Sequence, residues 1–457
     1  MPIFRLNFKN GASLGYSTDT SKFYTPDGHE INFHLDGVDA LKRSSFTSYE
    51  KGAVIKKSRT PHKIRIALGN GCNFNCKYCS QKKIREAVDA AALKYVDSFL
   101  DMLRNAIDAP PKAIEFWGGE PLVYIKVLER LVPTLREWYP TTTFRMITNG
   151  SLLNRKTVDF LVKYGFVVAV SHDAMGQAIR GEDPLADPEK KALMLELFEK
   201  LKDSPHGANE STFGFATTLT KDNCDPLAVG EYLRKNFHPD VPVATGYVTA
   251  MGGISEDPDF LSVAFDEEAL EQFSNNTLHA LYNFVAPNAI GTIANDARDA
   301  ITKLVHCDAT TQIGSRCEAD SAGQLIVKLN GDVLQCQNGS ANGEYGNIRD
   351  MDTAIVKDTF MWKHREACLH CPFAQLCYGA CPTLTGNGFV DSCRVSRAYY
   401  SAIFTFAVSQ IFGDKLINIK GDIAVPVREL VETKKGKTKY VTQLDMPTGE
   451  LHTLCCG

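Results

Sequence analysis

The 457-residue sequence is 44% hydrophobic and 23% charged, which leaves room for two or three folded domains and excludes a disordered chain or a single small scaffold. Its 50 Lys and Arg against 54 Asp and Glu give a formal charge of −4, without the basic excess that grips a phosphate backbone, so no nucleic-acid partner is expected. The longest nearly apolar stretch, residues 401–412, is far short of the ~20 residues that cross a bilayer, so no membrane span is expected. The N-terminus has no apolar signal region, and a cytoplasmic location follows as the expectation. In a reducing compartment the 14 cysteines point to metal or catalysis before disulfides.

Along the chain, residues 3–8 and 12–16 flank Asn10-Gly11 and predict a hairpin. Residues 63–68 alternate charged and apolar side chains as a strand end does, and lead into a loop carrying Cys72, Cys76 and Cys79. Residues 86–107, 123–138 and 189–202 repeat apolar positions at helical spacing. Between and after them, residues 113–117, 144–148, 167–171 and 213–220 read as strands. Strand alternating with helix implies parallel βα units. Further on, residues 324–335 form two short β runs around Asn330-Gly331, a type I′ hairpin signal that would bring Cys317 near Cys336. Residues 423–431 and 440–444 predict strands around a solvated Lys-rich turn.

The cysteines group sharply. Three sit at 72, 76 and 79, and eight lie between 307 and 393. Three thiolates spaced C-x3-C-x2-C, with no fourth nearby, would leave one corner of a 4Fe-4S cluster open, whereas structural zinc wants four N or S ligands and finds no His in this run. With Tyr78 just before the third Cys, this motif resembles the signature of radical S-adenosylmethionine (radical SAM) enzymes. Gly118-Gly119-Glu120-Pro121 is similar to the family's GGEP segment, Thr148-Asn149-Gly150 to its TNG turn, and residues 167–173 to its fourth strand.

The resemblance implies that Gly118, Gly119 and Glu120 meet the methionine amino group, that Ser171 reaches ribose or carboxylate, and that Arg180 partners the carboxylate. Tyr78 and Asn149 join this cofactor-binding set, and Thr217 and Leu219 on the fifth strand would lie near the adenine.

Cys317-x13-Gly331-x4-Cys336, followed by Cys368-x2-Cys371-x5-Cys377-x3-Cys381 and then Cys393, resembles the SPASM extension of radical SAM enzymes that modify peptides and proteins. Seven thiolates fall one short of two four-iron clusters, and Cys307 is the natural eighth. The resemblance implies Cys307, Cys317, Cys336 and Cys381 around one auxiliary cluster, and Cys368, Cys371, Cys377 and Cys393 around the other. Without Cys307 the first would keep an open iron able to bind substrate. A pair of zinc ribbons is the competing reading of the Cys-x2-Cys pair. His306, His364 and His370 flank these cysteines and are expected as packing residues; Cys224 is expected as a small buried hydrophobe, and Cys455-Cys456 as part of a tail.

The fold expected is α/β, a partial (β/α)6 TIM-type barrel with a small C-terminal Cys-rich SPASM domain, a β-hairpin plus helices, that binds auxiliary clusters. Its expected divisions are 1–62, a β-rich segment that contacts substrate; 63–290, the barrel; 291–412, the auxiliary-cluster domain; and 413–457, a hairpin and tail. The resemblance further implies three [4Fe-4S] clusters and S-adenosyl-L-methionine, an electron donor such as flavodoxin or ferredoxin, and a precursor peptide as substrate. The reaction expected is radical SAM oxidation of a ribosomally made (RiPP) peptide, starting from a 5′-deoxyadenosyl radical and ending in a thioether or carbon-carbon crosslink. A formylglycine-generating sulfatase maturase and a peptide epimerase are the alternatives. Sulfatase-maturing members carry an Asp after the Cys of the G-x4-C element, where this chain has Gln337. No residue pattern singles out a catalytic base.

Overall fold

The computed structural model describes residues 3–33, 52–87, 90–202, 211–283, 291–307, 318–339, 345–357 and 362–421, together with the backbone of three short strands between 425 and 442. Cys317 and the Cys455-Cys456 pair lie outside the described residues.

Four N-terminal strands come first: β1 (Ile3–Phe8), β2 (Ser13–Ser17), β3 (Lys22–Tyr24) and β4 (Glu30–Ile31). Gly11 takes a φ of +89° at the first turn and Asn10 does not, and Phe8 N–H bonds to Ala12 O at 2.9 Å, so this hairpin closes on a glycine bulge. β5 (Ile55–Lys56) precedes the central sheet. Six parallel strands then follow in sequential order, with helices between successive members: β6 (Lys63–Ala67), β7 (Ala113–Trp117), β8 (Thr143–Thr148), β9 (Phe166–Ser171), β10 (Phe213–Leu219) and β11 (Val243–Tyr247). This is the consecutive parallel order expected of a (β/α)6 half-barrel.

The intervening helices are α1 (Val96–Ala106), α2 (Ile125–Trp138), α3 (Arg155–Lys163), α4 (Pro188–Leu201) and α5 (Pro226–Asn236). α4 and α5 open on Asp-Pro. Asp187 and Asp225 each accept two backbone N–H bonds while the proline stands where no N–H is needed, which fixes the start of the helix. α6 (Pro258–Val263) repeats the device with Asp257. α1 begins ten residues later than the periodicity from 86 suggests, because a 3-10 segment, Ala90–Tyr95, occupies the intervening chain.

α7 (Glu267–Asn283) and α8 (Gly291–Val305) lead to β12 (Gln324–Lys328) and β13 (Val333–Leu334). β12 pairs in parallel with β6, so the hairpin of the Cys-rich segment extends the barrel sheet at its first strand. Its turn is not type I′. Only Gly331 has positive φ (+89°), Asn330 does not, and Lys328 N–H bonds to Asp332 O at 2.9 Å. That is a type I turn closed by a glycine bulge, the three-residue form that a single left-handed residue selects.

β14 (Ile355–Val356) pairs with β5. Two single-turn helices, α9 (Glu366–Leu369) and α10 (Ala374–Cys377), come before the long α11 (Gly386–Phe412), which packs on α7 and α8. None of the helices among the described residues is long and apolar enough to cross a membrane. β15 (Leu416–Lys420) returns to pair antiparallel with β1, and β16 (Val425–Pro426) pairs with β15. The segments read from sequence as 1–62 and 413–457 therefore share one sheet, closed over a core of Phe4, Tyr16, Phe23 and Phe404. β17 (Arg428–Glu432) and β18 (Thr438–Thr442) form the expected terminal hairpin.

Candidate active site

A cavity of about 370 Å³ opens at the C-terminal ends of the parallel strands. Cys72, Cys76, Cys79 and Tyr78 line it, as do Gly118, Gly119, Glu120, Asn149, Ser171 and Arg180. Sequence segments more than a hundred residues apart thus converge on one space, where parallel βα folds place their sites.

The cysteine loop is held from below by the end of β7. Gly119 N–H bonds to Gly69 O at 3.0 Å, Glu120 N–H to Gly71 O at 2.9 Å, and Gly71 N–H to the Tyr124 hydroxyl at 2.9 Å. A Cβ on Gly119 would stand 2.4 Å from Gly71 O. The glycines of this segment are therefore required for the approach of two backbones, over and above any approach to a ligand. Within the loop, Phe74 N–H points to Cys72 Sγ at 3.4 Å. Burial pushes the Cys76 thiol up to about 11, partly offset by Arg180, and raises Cys72 as well.

Glu120 is buried and spends its carboxylate on the neighbouring turn. It accepts from Thr148 Oγ1 (2.7 Å), Asn149 N–H (2.7 Å) and Leu122 N–H (3.0 Å). Burial raises its pKa and these three donors oppose the shift. Asn149 in turn donates to Asn73 Oδ1 at 2.9 Å, which ties the turn after β8 back to the cysteine loop.

Beyond β9, Tyr78 donates to Asp173 Oδ2 at 2.5 Å, and Arg180 donates to the Tyr78 hydroxyl and lies 3.6 Å from Asp173 Oδ1. Burial is the largest influence on the Tyr78 and Asp173 pKa values and raises both, with Arg180 as the nearest opposing charge. His172, fully buried, fixes this corner: its Nδ1 accepts from Ala174 N–H at 2.9 Å and its Nε2 meets Asp183 at 2.8 Å.

Two expected contacts fall elsewhere. Thr217 and Leu219 do not line the cavity; both are buried on the other face of β10, with Thr217 Oγ1 donating to His172 O at 2.8 Å. Side chains alternate along a strand, so Thr218 lines the cavity instead. Lining residues outside the expected cofactor-binding set include Trp117, Thr148, Tyr247 and Gln337. Gln337 carries the most information, because it follows Cys336 directly and brings the second cysteine field into the cavity wall. Its backbone carbonyl accepts from Gln81 at 3.0 Å and its carboxamide from Arg65 at 2.5 Å.

In the second field, burial raises the Cys368 pKa, and Cys377 and Cys371 lie close enough to raise it further. Arg365 feels Cys368, Cys381, Cys393 and Cys377, and donates to the carbonyls of Cys381 and Leu384 at 3.0 and 2.9 Å. The Tyr16 hydroxyl feels both Cys371 and Cys307, so Cys307 reaches this neighbourhood. Cys336 belongs to the barrel side of the field. Cys224 is buried in the core as expected, and His306, His364 and His370 are not in the cavity wall. Among the described residues no three His, Cys, Asp or Glu side chains converge as ligands of a single metal ion would.

Comparison with known proteins agrees with this geometry. Residues 66–218 match the model of the Radical SAM superfamily. The chain is 23% identical over 362 residues to the radical SAM cyclopropyl synthase TigE of Paramaledivibacter caminithermalis, covering 74% of this chain and 71% of that protein. It is 34% identical over 113 residues to GTP 3′,8-cyclase of Helicobacter pylori, a match that spans 24% of this chain and 35% of that enzyme. Among solved structures, anSMEcpe with bound AdoMet and Cp18Cys peptide aligns with a TM-score of 0.55 at 18% identity, over 77% of this chain and 98% of that one.

The domain implies a [4Fe-4S] cluster and SAM, and the donors here suit both. Three soft thiols without a fourth among the cavity residues leave an iron corner open, and a bound metal would deprotonate them despite their raised pKa values. Arg180 Nε is buried with no hydrogen-bond partner among the described residues, a donor that a carboxylate would satisfy. Residues 66–218 thus form a Radical SAM superfamily domain, and the chain that carries this site is an enzyme.

Proposed function

We propose that this enzyme is a peptide maturase that oxidises a ribosomally made precursor and joins two of its atoms by a new carbon-carbon or thioether bond. When bound, the cluster and SAM supply a carbon radical able to take a hydrogen atom from an unactivated substrate carbon. The chain's own residues do the rest: Glu120 and Asn149 brace the cysteine loop, the Tyr78–Asp173–Arg180 group fixes one wall, and the buried β-strand ends exclude water from a radical.

The observation that carries this reading is the position of Gln337. The residue after Cys336 lines the same cavity as Cys72, Cys76 and Cys79, so a Cys-rich segment outside the matched domain is built into the active-site wall. On the proposed reading, Cys307, Cys317, Cys336, Cys368, Cys371, Cys377, Cys381 and Cys393 hold two auxiliary clusters of a SPASM domain, which accept the electron left on the oxidised substrate. Cys72, Cys76 and Cys79 hold the SAM cluster, and a flavodoxin or ferredoxin supplies its electron. The similarity to a cyclopropyl synthase reaches well past residue 218 and favours carbon-carbon bond formation within this class. Gln337, held by Arg65, weighs against the formylglycine alternative, which uses an acid at that place.

The test is anaerobic co-expression with the short peptide encoded beside this gene, followed by intact mass. A loss of two hydrogens per event, absent with Cys76→Ala, is the expected result. An unchanged peptide mass accompanied by inversion of a residue would overturn crosslinking in favour of epimerisation.

A further inference from the structure

A second cavity, of about 280 Å³, shares Gln81, Arg85, Trp117, Gly118 and Gln337 with the central one. A third, of about 190 Å³, shares Val248 and Thr249 with it. Three adjoining spaces, two of which share lining residues with the central one, suit an extended chain better than a compact small molecule, and they differ in charge. The second is lined by Lys83, Arg85 and Lys328 against the single acid Glu86. Among the described residues, Lys83 and Arg85 donate to neutral oxygens, Gly253 O and Asn75 Oδ1, and those bonds leave both charges in place. Lys328 stands on β12, the strand that the Cys-rich segment adds to the barrel. Trp117, common to both cavities, has a buried indole N–H with no hydrogen-bond partner among the described residues, and Arg65 stacks 4.9 Å from its ring. A buried donor left unmet is costly unless a ligand meets it.

We infer that this second cavity is a carboxylate subsite of the substrate peptide, in which Lys83 and Lys328 supply the charge and the Trp117 indole donates the hydrogen bond, so that an acidic group beside the reacting residue sets the register. The inference rests on the peptide reading above and extends it to a residue class. A carboxylate has two sources in a peptide, a Glu or Asp side chain and the C-terminus.

The experiment is affinity selection on the anaerobically reconstituted enzyme with SAM. The probes are two random nonapeptide libraries of Gly, Ser, Ala, Leu, Glu and Lys, one with amidated C-termini and one with free acids. Enrichment of Glu at a fixed position in the amidated library assigns the subsite to a side chain, and retention confined to the free-acid library assigns it to the C-terminus. In either case Lys83→Gln/Lys328→Gln should abolish the preference, and Lys83→Glu/Lys328→Glu should turn it toward Lys. Iron per chain equal to wild type shows that the variants have folded. Retention of peptides without any acidic preference, or a preference the variants keep, would overturn the subsite and leave the peptide reading standing. Retention of no peptide by the wild type would overturn both.

Discussion

The two cysteine fields are built in opposite ways. Cys72, Cys76 and Cys79 come from one short loop whose shape is set by neighbours in the parallel sheet, through short backbone bonds to Gly69, Gly71 and Glu120. Of the cysteines from 307 to 393, those described come instead from a helix end, the segment after a hairpin, two single turns with their flanks and a long helix, segments that only tertiary packing can bring together. The difference teaches that the first field is a local motif on a rigid scaffold, while the second depends on chain segments far away in sequence. Thr18 of the N-terminal sheet donates to Cys371 O at 3.2 Å, and Gln375 donates back to Thr18 O at 2.7 Å.

The sharpest way to separate the fields is to remove one thiol from each. On the proposed three-cluster reading, Cys76→Ala should abolish both 5′-deoxyadenosine release and peptide modification, and lower iron from about twelve to about eight per chain. Cys377→Ala should lower iron by the same amount yet keep 5′-deoxyadenosine release without crosslinked product. If Cys377→Ala also stopped SAM cleavage, the fields would not be functionally separate.

A pH series probes the second field's approach to the barrel. Asp320, three residues after Cys317, is raised by burial to about 7, and buried Lys57 beside it is lowered by burial to about 8. The folded pKa of Asp320 lies above its unfolded value near 3.9, so its stabilising contribution is full below about pH 4 and is lost as pH rises through about 7. Unfolding free energies from urea titrations should therefore fall across that window with a slope approaching about 1.4 kcal/mol per pH unit, and Asp320→Asn should flatten it. Lys57 acts in the other sense and at higher pH, regaining stability between about 8 and 10.5.

Much of the first field was legible because its signals are short-range. Cysteine spacing, the two glycines after a strand and the TNG turn are local, and each lies where the sequence placed it. The phase of β10 was misread, although the signal was there: Phe213, Phe215, Thr217 and Leu219 are the bulky set packed away from the cavity, and the small Gly214, Ala216 and Thr218 face the other way. The addition of β12 to β6 and of β15 to β1 was not legible, since no local pattern records which edge a distant strand will cover. The same holds for Gln337, whose place in the cavity follows from the strand pairing and not from its neighbours in sequence.

Gly119→Ala tests whether the first field is as rigid as its bonds imply. Its new Cβ would meet Gly71 O at 2.4 Å, and both partners are backbone, so neither yields by a rotamer change. A loss of about 1–3 kcal/mol in unfolding free energy is expected, together with lower iron retention at Cys72, Cys76 and Cys79. Wild-type stability and iron would show that the loop can move.

The smallest expected effect falls on the link between the N-terminal sheet and the second field. Thr18→Val keeps the shape of a fully buried side chain and removes its hydroxyl bond to Cys371 O, a change of about 1 kcal/mol. That corresponds to roughly fivefold faster hydrogen exchange in the unit the bond stabilises. The Cys377 and Tyr378 amides, which close the turn onto Phe373 and Ala374, should speed up by that factor, and the Cys79 amide, bonded to Cys76 O, should not. If both sets quicken together, the two fields open as one cooperative unit, and the contrast between a local motif and a packed assembly holds for construction but not for stability.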